Sequence, residues 1–269
     1  MTTHTADDFP DRISSWNDLA NLVEHFSYFN GHDWLFRGVT DSSYELKSKI
    51  GRETTRRSKA VPKTEKQMRV PYREEDEIAV FSMFKQQARP HIATAPLSDV
   101  EWLSIAQHYG LPTRLLDWTD NLLVAAWFAV EPAGEKRVDS AIWITRGIPT
   151  IDEDEHDVPL ELSEPRSYRP PHISPRIATQ GSVFLVCPNP TKTLVLPFVR
   201  KIAIGCEVQF TIKKRLNACG INRRHLFPDL TGLSEHLTWM YKHDWLAGYR
   251  RLAGTAATEM ADDAEDESA

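Results

Sequence analysis

Cysteine is scarce in this 269-residue chain: Cys187, Cys206 and Cys219 are the only three, and no two stand in a C-x-x-C spacing. An odd number cannot all pair as disulfides. They read as buried thiols of a reducing compartment. No run of 18 apolar residues occurs, so no membrane-spanning helix is expected. Met1 to Asp11 lacks the apolar centre of a secretory signal, and the expected location is the cytoplasm. There is no internal repeat. Nor is there a surplus of cations: the formal charge is -6, which gives no global attraction to nucleic acid.

What is present is a globular composition, 41% hydrophobic and 26% charged, with eight tryptophans spread through the body. The length suffices for a real core, and one domain over residues 12–252 is the expected organisation. Charge is distributed unevenly. Lys47 to Arg73 holds ten cations against Glu53 and Glu65, whereas Ala261 to Ala269 carries Asp262, Asp263, Glu265, Asp266 and Glu267. The acidic stretch is too polar to pack, and residues 253–269 are expected to be a disordered tail. The basic stretch has almost no interleaved aromatics, so it suits phosphate binding or plain solvation better than base stacking.

Apolar spacing predicts a first helix capped by Ser15 and ended at Asn30-Gly31, then a strand over Asp33 to Val39. Helices follow over Glu74 to Arg89 and from the Ser98/Glu101 capping box to Gly110. Leu111 to Leu116 reads as extended, with Asp117 or Thr119 capping an apolar helix over Leu122 to Val130. Ser140 to Thr145 is a strand, and six prolines mark Gly147 to Pro175 as a long loop. Strands are expected at Ser182 to Cys187, Thr193 to Val199 and Lys201 to Ile204, and helices at Phe210 to Ala218 and Leu233 to Leu246. Helices come first and strands cluster later, which predicts an α+β fold with a small mixed or antiparallel sheet flanked by helices.

Two segments concentrate polar chemistry. In Trp34-Leu35-Phe36-Arg37-Gly38 a single arginine interrupts an apolar strand, where an unpaired guanidinium would be strongly unfavourable and must meet a carboxylate or a phosphate. Gly38 admits close approach by a backbone or a ligand. In Ala106 to Thr119, His108 can serve as acid, base or structural donor. Arg114 can bind phosphate or pair with Asp117. Asp117 and Thr119 can be caps, but capping alone does not account for this density of polar groups.

These two segments resemble the FRG domain family, named for its Phe-Arg-Gly tripeptide. Arg176 to Phe184 and Leu226-Phe227-Pro228-Asp229-Leu230 resemble its later segments, so the likeness runs from about Trp16 to Trp245. A second likeness is to ADP-ribosyltransferases of the Arg-Ser-Glu type. Phe36-Arg37-Gly38 is similar to their early arginine strand, and Asp117-Trp118-Thr119 before Ala125-Ala126-Trp127-Phe128-Ala129 is similar to their second strand and Ala-rich helix. Gln180-Gly181-Ser182 stands where their catalytic strand falls, with Ser182 in place of a glutamate and with Asp117 or Glu207 as substitutes.

The resemblance implies an ADP-ribosyltransferase-like fold and NAD as cofactor. Arg37, Gly38, Arg114 and Thr119 would bind it, and His108, Asp117 and Gln180 would form the catalytic set, with no metal. It implies a toxin or anti-phage effector of a prophage setting that modifies a macromolecule, protein or nucleic acid, contacted through Lys47 to Arg73. The alternative is a non-catalytic nucleotide- or nucleic-acid-binding module held together by an Arg37-Asp117 pair.

Overall fold

The computed structural model describes residues 9–27, 33–52, 54–57, 67–92, 96–132, 137–171, 175–243 and 245, with the backbone alone for 54–57 and 67–70. Two compact units divide the chain, Met1–Cys219 and Gly220–Ala269.

Among the described residues the first unit has nine strands: β1 (Arg12–Ile13), β2 (Leu35–Val39), β3 (Thr54–Arg57), β4 (Gln67–Val70), β5 (Leu115–Thr119), β6 (Ser140–Thr145), β7 (Arg166–Tyr168), β8 (Ser182–Val186) and β9 (Val199–Ile204). Its helices are α1 (Trp16–Ser27), α2 (Glu74–Ala88), α3 (Asp99–His108), α4 (Leu122–Val130), α5 (Pro175–Thr179) and α6 (Gln209–Ala218). The second unit contains α7 (Arg223–Leu226) and α8 (Leu230–Lys242), capped by Asn222 and Asp229 side chains.

Seven strands form one mixed sheet in the order β1-β9-β6-β2-β5-β8-β7, and β3 with β4 make a separate hairpin. Only the β1–β9 pair is parallel among these. The fold is α+β, as the order of helical and strand patterns predicts. The sheet is in two halves. β2 pairs with β6 over five residues and β5 with β8 over five, but β2 and β5 share one register pair, Phe36 with Thr119.

Period-two alternation explains how the β5/β8 half is buried on both faces. Leu115, Phe184 and Val186 face α2 and α3 in a cluster with Phe81, Trp102 and Leu103. Leu116, Trp118, Val183 and Leu185 face the other way, under Leu46, Leu194 and Leu196 from the connecting segments. At β2, α4 lies so close that a Cβ on Gly38 would stand 2.0 Å from the Ala125 carbonyl oxygen and 2.6 Å from the Ala129 nitrogen. Gly38 is therefore a packing glycine, its open face covered by a helix backbone.

Several local expectations change. Asn121, not Asp117 or Thr119, caps α4, its Oδ1 accepting from the Leu123 and Val124 amides. Both earlier candidates lie within β5. Thr193 to Val199 is not a strand: Leu194 and Leu196 are buried, but the ladder begins at Val199. The proline-rich loop contains the short edge strand β7. The helix end expected at Asn30-Gly31 and the tail 253–269 lie outside the described residues.

Among the described residues, no helix is long and apolar enough to cross a membrane.

Candidate functional site

Arg37 is carried on β2 at the place where β2 and β5 part. Its Nη1 donates to the main-chain carbonyl of Asp117 and lies 3.6 Å from Asp117 Oδ2. The side chain is 15% exposed, whereas that of Asp117 is 60% exposed, so a buried cation sits behind an open carboxylate. A guanidinium has five N–H donors. Here Nη1 alone meets an acceptor, and no described residue accepts from Nε or Nη2. Burial lowers the Arg37 pKa, Asp117 opposes the fall and Arg52 adds to it. A guanidinium nonetheless keeps its proton at physiological pH.

Asp117 is held from α3. Gln107 Nε2 donates to Asp117 Oδ1 and Oδ2 at 3.1 and 3.0 Å. Thr113 fixes which way that amide faces: its hydroxyl accepts the Leu115 amide at 3.0 Å and donates to Gln107 Oε1 at 2.8 Å, leaving the NH2 group for the carboxylate. The turn between α3 and β5 is possible because Gly110 sits at φ +90 in the C′ position. Lys49 donates to the Gly110 carbonyl and the Ile50 amide to that of Thr113, stitching the 47–52 segment onto this turn.

His108, the last residue of α3, is half-buried. Burial and the nearby charge of Arg176 lower its pKa, with Asp117 pulling the other way, so the imidazole is neutral at pH 7. Between α2 and α3 is a cavity of about 390 Å³ lined by Phe84, Gln87, Ala88, His91, Ile92, Ile105 and Tyr109.

Thr119 pairs in register with Phe36 on one side and Ser182 on the other. Its buried hydroxyl donates to the Gln180 carbonyl at 2.6 Å and accepts the Asn121 amide. Gln180 thus joins the row through its main chain. Gly181 follows at φ +52, and a Cβ there would stand 2.3 Å from Asp120 Oδ1. Asp120 therefore lies over the Gly181 backbone, with Oδ2 held by Arg169 at 2.8 Å.

Arg114 is placed elsewhere. It forks onto Glu77, with Nε to Oε1 at 3.0 Å and Nη2 to Oε2 at 2.7 Å, and gives Nη1 to the Leu160 carbonyl. Tyr72 completes the cluster by donating to Glu77 Oε2, and burial with that bond raises its pKa. Arg114 is saturated inside the protein and pairs with Glu77 rather than Asp117. Glu207 is also distant from β5: it meets Arg12 on the edge strand β1.

Residues 32–137 match the family model described as FRG domain. The chain carries an FRG domain. No curated protein and no solved structure matches. The FRG match contains Arg37, Gln107, His108, Thr113, Asp117 and Thr119, while Gln180 and Ser182 come from beyond it.

The sequence singles out Arg37, Asp117, Thr119, His108 and Gln180, and the fold gathers them at the junction of β2, β5 and β8. It does not single out Thr113, Asp120 or Arg176 for this site, although Asp120 directly follows Thr119. Donor atoms of Asp139, Cys206 and Glu207 come within 4.8 Å of one another, the spacing of metal ligands. Arg12 already pairs with both of those carboxylates.

Proposed function

We propose that the FRG domain binds NAD at the β2/β5 junction and acts as an ADP-ribosyltransferase-like enzyme. The observation carrying this reading is Arg37: a buried, charged guanidinium with donors left over at Nε and Nη2 is matched to a phosphate oxygen. The convergence of Arg37 on β2, Thr119 on β5 and the Gln180 main chain in the turn before β8, from distant stretches of chain, supports the same reading. Neutral His108 supplies a base near the exposed carboxylate of Asp117. Ser182 cannot supply the negative charge that stabilises an oxocarbenium-like centre. In this proposal Asp117 supplies it, with Asp120 as the second carboxylate at the strand ends. The biological role would be that of a toxin or anti-phage effector.

The test is thermal. NAD raises the melting temperature and Arg37→Ala abolishes the rise, since a ligand that binds only the folded state stabilises it. Nicotinamide release with cell extract follows for the native chain and is lost in Asp117→Asn. No release from any extract sinks the enzyme and leaves the non-catalytic module. That second reading has its own support, because Gln107 occupies both oxygens of Asp117 as a structural clasp would.

A further inference from the structure

We infer that one row of the sheet, Trp143 on β6, Arg37 on β2 and Trp118 on β5, binds a tetrahedral oxyanion: inorganic phosphate or the phosphoryl group of a larger ligand. The first ground is register. Arg37 pairs directly with Trp143, and the Phe36–Thr119 pair brings Trp118 to the next rung on the other side. Adjacent strands stand about 4.7–4.9 Å apart, so both indoles are within side-chain reach of a group seated on the guanidinium. Arg37 already bonds the Asp117–Trp118 peptide through its carbonyl oxygen. Leu35, two residues before Arg37, packs in one cluster with Leu46 and Trp118, and Trp143 lies against it. The row is therefore on the face that the segment around Leu46 covers.

The second ground is what these side chains share. The Nε1 atoms of Trp118 and Trp143 are buried and meet no acceptor, and Trp118 as a whole is 3% exposed. Arg37 adds Nε and Nη2, which no described residue accepts from. The covering segment contributes another such group, the fully buried and unpartnered hydroxyl of Ser48. Native interiors seldom leave polar groups unpaired, and each exception calls for a reason. Guanidinium and indole N–H groups can only donate. A row of them without an acceptor suits an anion.

The third ground is charge and shape. Burial and the nearby cation of Arg52 lower the Arg37 pKa, while Cys187 in the same cluster stays a neutral thiol, its pKa pushed by burial to about 12. Asp117, the carboxylate 3.6 Å from Arg37, is already held through both oxygens by Gln107. Lys201, the register partner of Trp143 on its far side, lies 4.8 Å over that ring and takes its π face, which leaves the N–H edge. A guanidinium edge grips two oxygens of a phosphate or a carboxylate. Phosphate has further oxygens for the flanking N–H groups, and a carboxylate has none. The row deepens the function proposed above, and rests on it, where the phosphate is that of NAD; its binding of inorganic phosphate does not.

The experiment reads the indole N–H resonances of the full chain, labelled with nitrogen-15 at its eight tryptophans. Trp118→Phe and Trp143→Phe identify two of them by loss. Titration with inorganic phosphate, at constant pH and ionic strength, should move these two saturably with one dissociation constant and leave the other six in place. Acetate should move neither. Arg37→Gln, with unchanged circular dichroism, should weaken phosphate binding about tenfold or more, the size of a lost charged hydrogen bond. Arg37→Lys keeps the charge without the fork and should weaken it several-fold, which guards against misfolding of the first variant. No saturable movement of the two resonances, equal movement with acetate, or undiminished binding in a folded Arg37→Gln would each overturn the proposal. The two proposals fail separately. Displacement of phosphate by NAD identifies NAD as the source of the phosphoryl group. If phosphate binds while NAD neither competes nor raises the melting temperature, the NAD reading falls and the row stands as a site for free oxyanion.

Discussion

Arg114 and Glu77 meet in a two-pronged ion pair in which each side chain is 2% exposed. This pair joins the start of β5 to α2, and it explains why an arginine inside the polar segment takes no part at the β2/β5 junction. Removing one partner strands the other charge away from water, so Arg114→Ala should cost about 3–5 kcal/mol. The double variant R114M/E77L should lose much less, because an apolar pair of similar volume leaves no orphan charge. Urea denaturation of the two decides it.

Gly38→Ala should destabilise by about 1–3 kcal/mol, the usual cost of forcing extra volume into a packed interior. The added methyl would stand 2.0 Å from a helix carbonyl, which cannot yield as a side chain can. The loss should appear as a lower denaturation midpoint with or without NAD, because it arises from α4 packing on β2.

Gly181→Ala combines two penalties, a positive φ costing roughly 1–2 kcal/mol and a clash with Asp120 Oδ1. In a D120G background the clash is gone and only the backbone share should remain. A double-mutant cycle separates them, and equal losses in both backgrounds would show that Asp120 does not occupy this space.

The pH dependence follows from His108. Its folded pKa lies below the ordinary value of about 6.5, so between those two values the unfolded chain binds more protons and stability rises with pH. The contribution is present above about pH 6.5 and is lost as pH falls towards the folded pKa. Compared with the native chain, His108→Gln should lose less melting temperature between about pH 7.5 and pH 5.5, a range that spans the ordinary histidine pKa. An identical drop in both would overturn this assignment.

Much of this was legible in the residues. Ser140 to Thr145 is a short run rich in β-branched and aromatic residues, as a buried strand is, and it forms β6 with those bounds. Arg37 was legible because one charge in an apolar strand needs a partner, and Asp117 is the carboxylate it meets. What stayed hidden depends on turns and on neighbours distant in sequence. β7 is three residues between prolines, too short to show a period, and exists because β8 offers it an edge. Leu194 and Leu196 carry the right alternation but are buried from a connecting segment against the sheet face and not in a ladder. Asp120 enters the site through the bend after β5, and Glu77 is an ordinary helical glutamate until Arg114 arrives from 37 positions away.

The single register pair between β2 and β5 has a mechanical consequence. A sheet whose halves are joined by Phe36 and Thr119, with Arg37 as a side-chain rivet to the Asp117 carbonyl, has its weakest line there. Local opening follows such lines, so amide protons bordering this line should exchange faster than those inside the β5/β8 ladder. Whatever occupies the spare donors of Arg37 would tighten the rivet, and its arrival would be felt along the length of the crack.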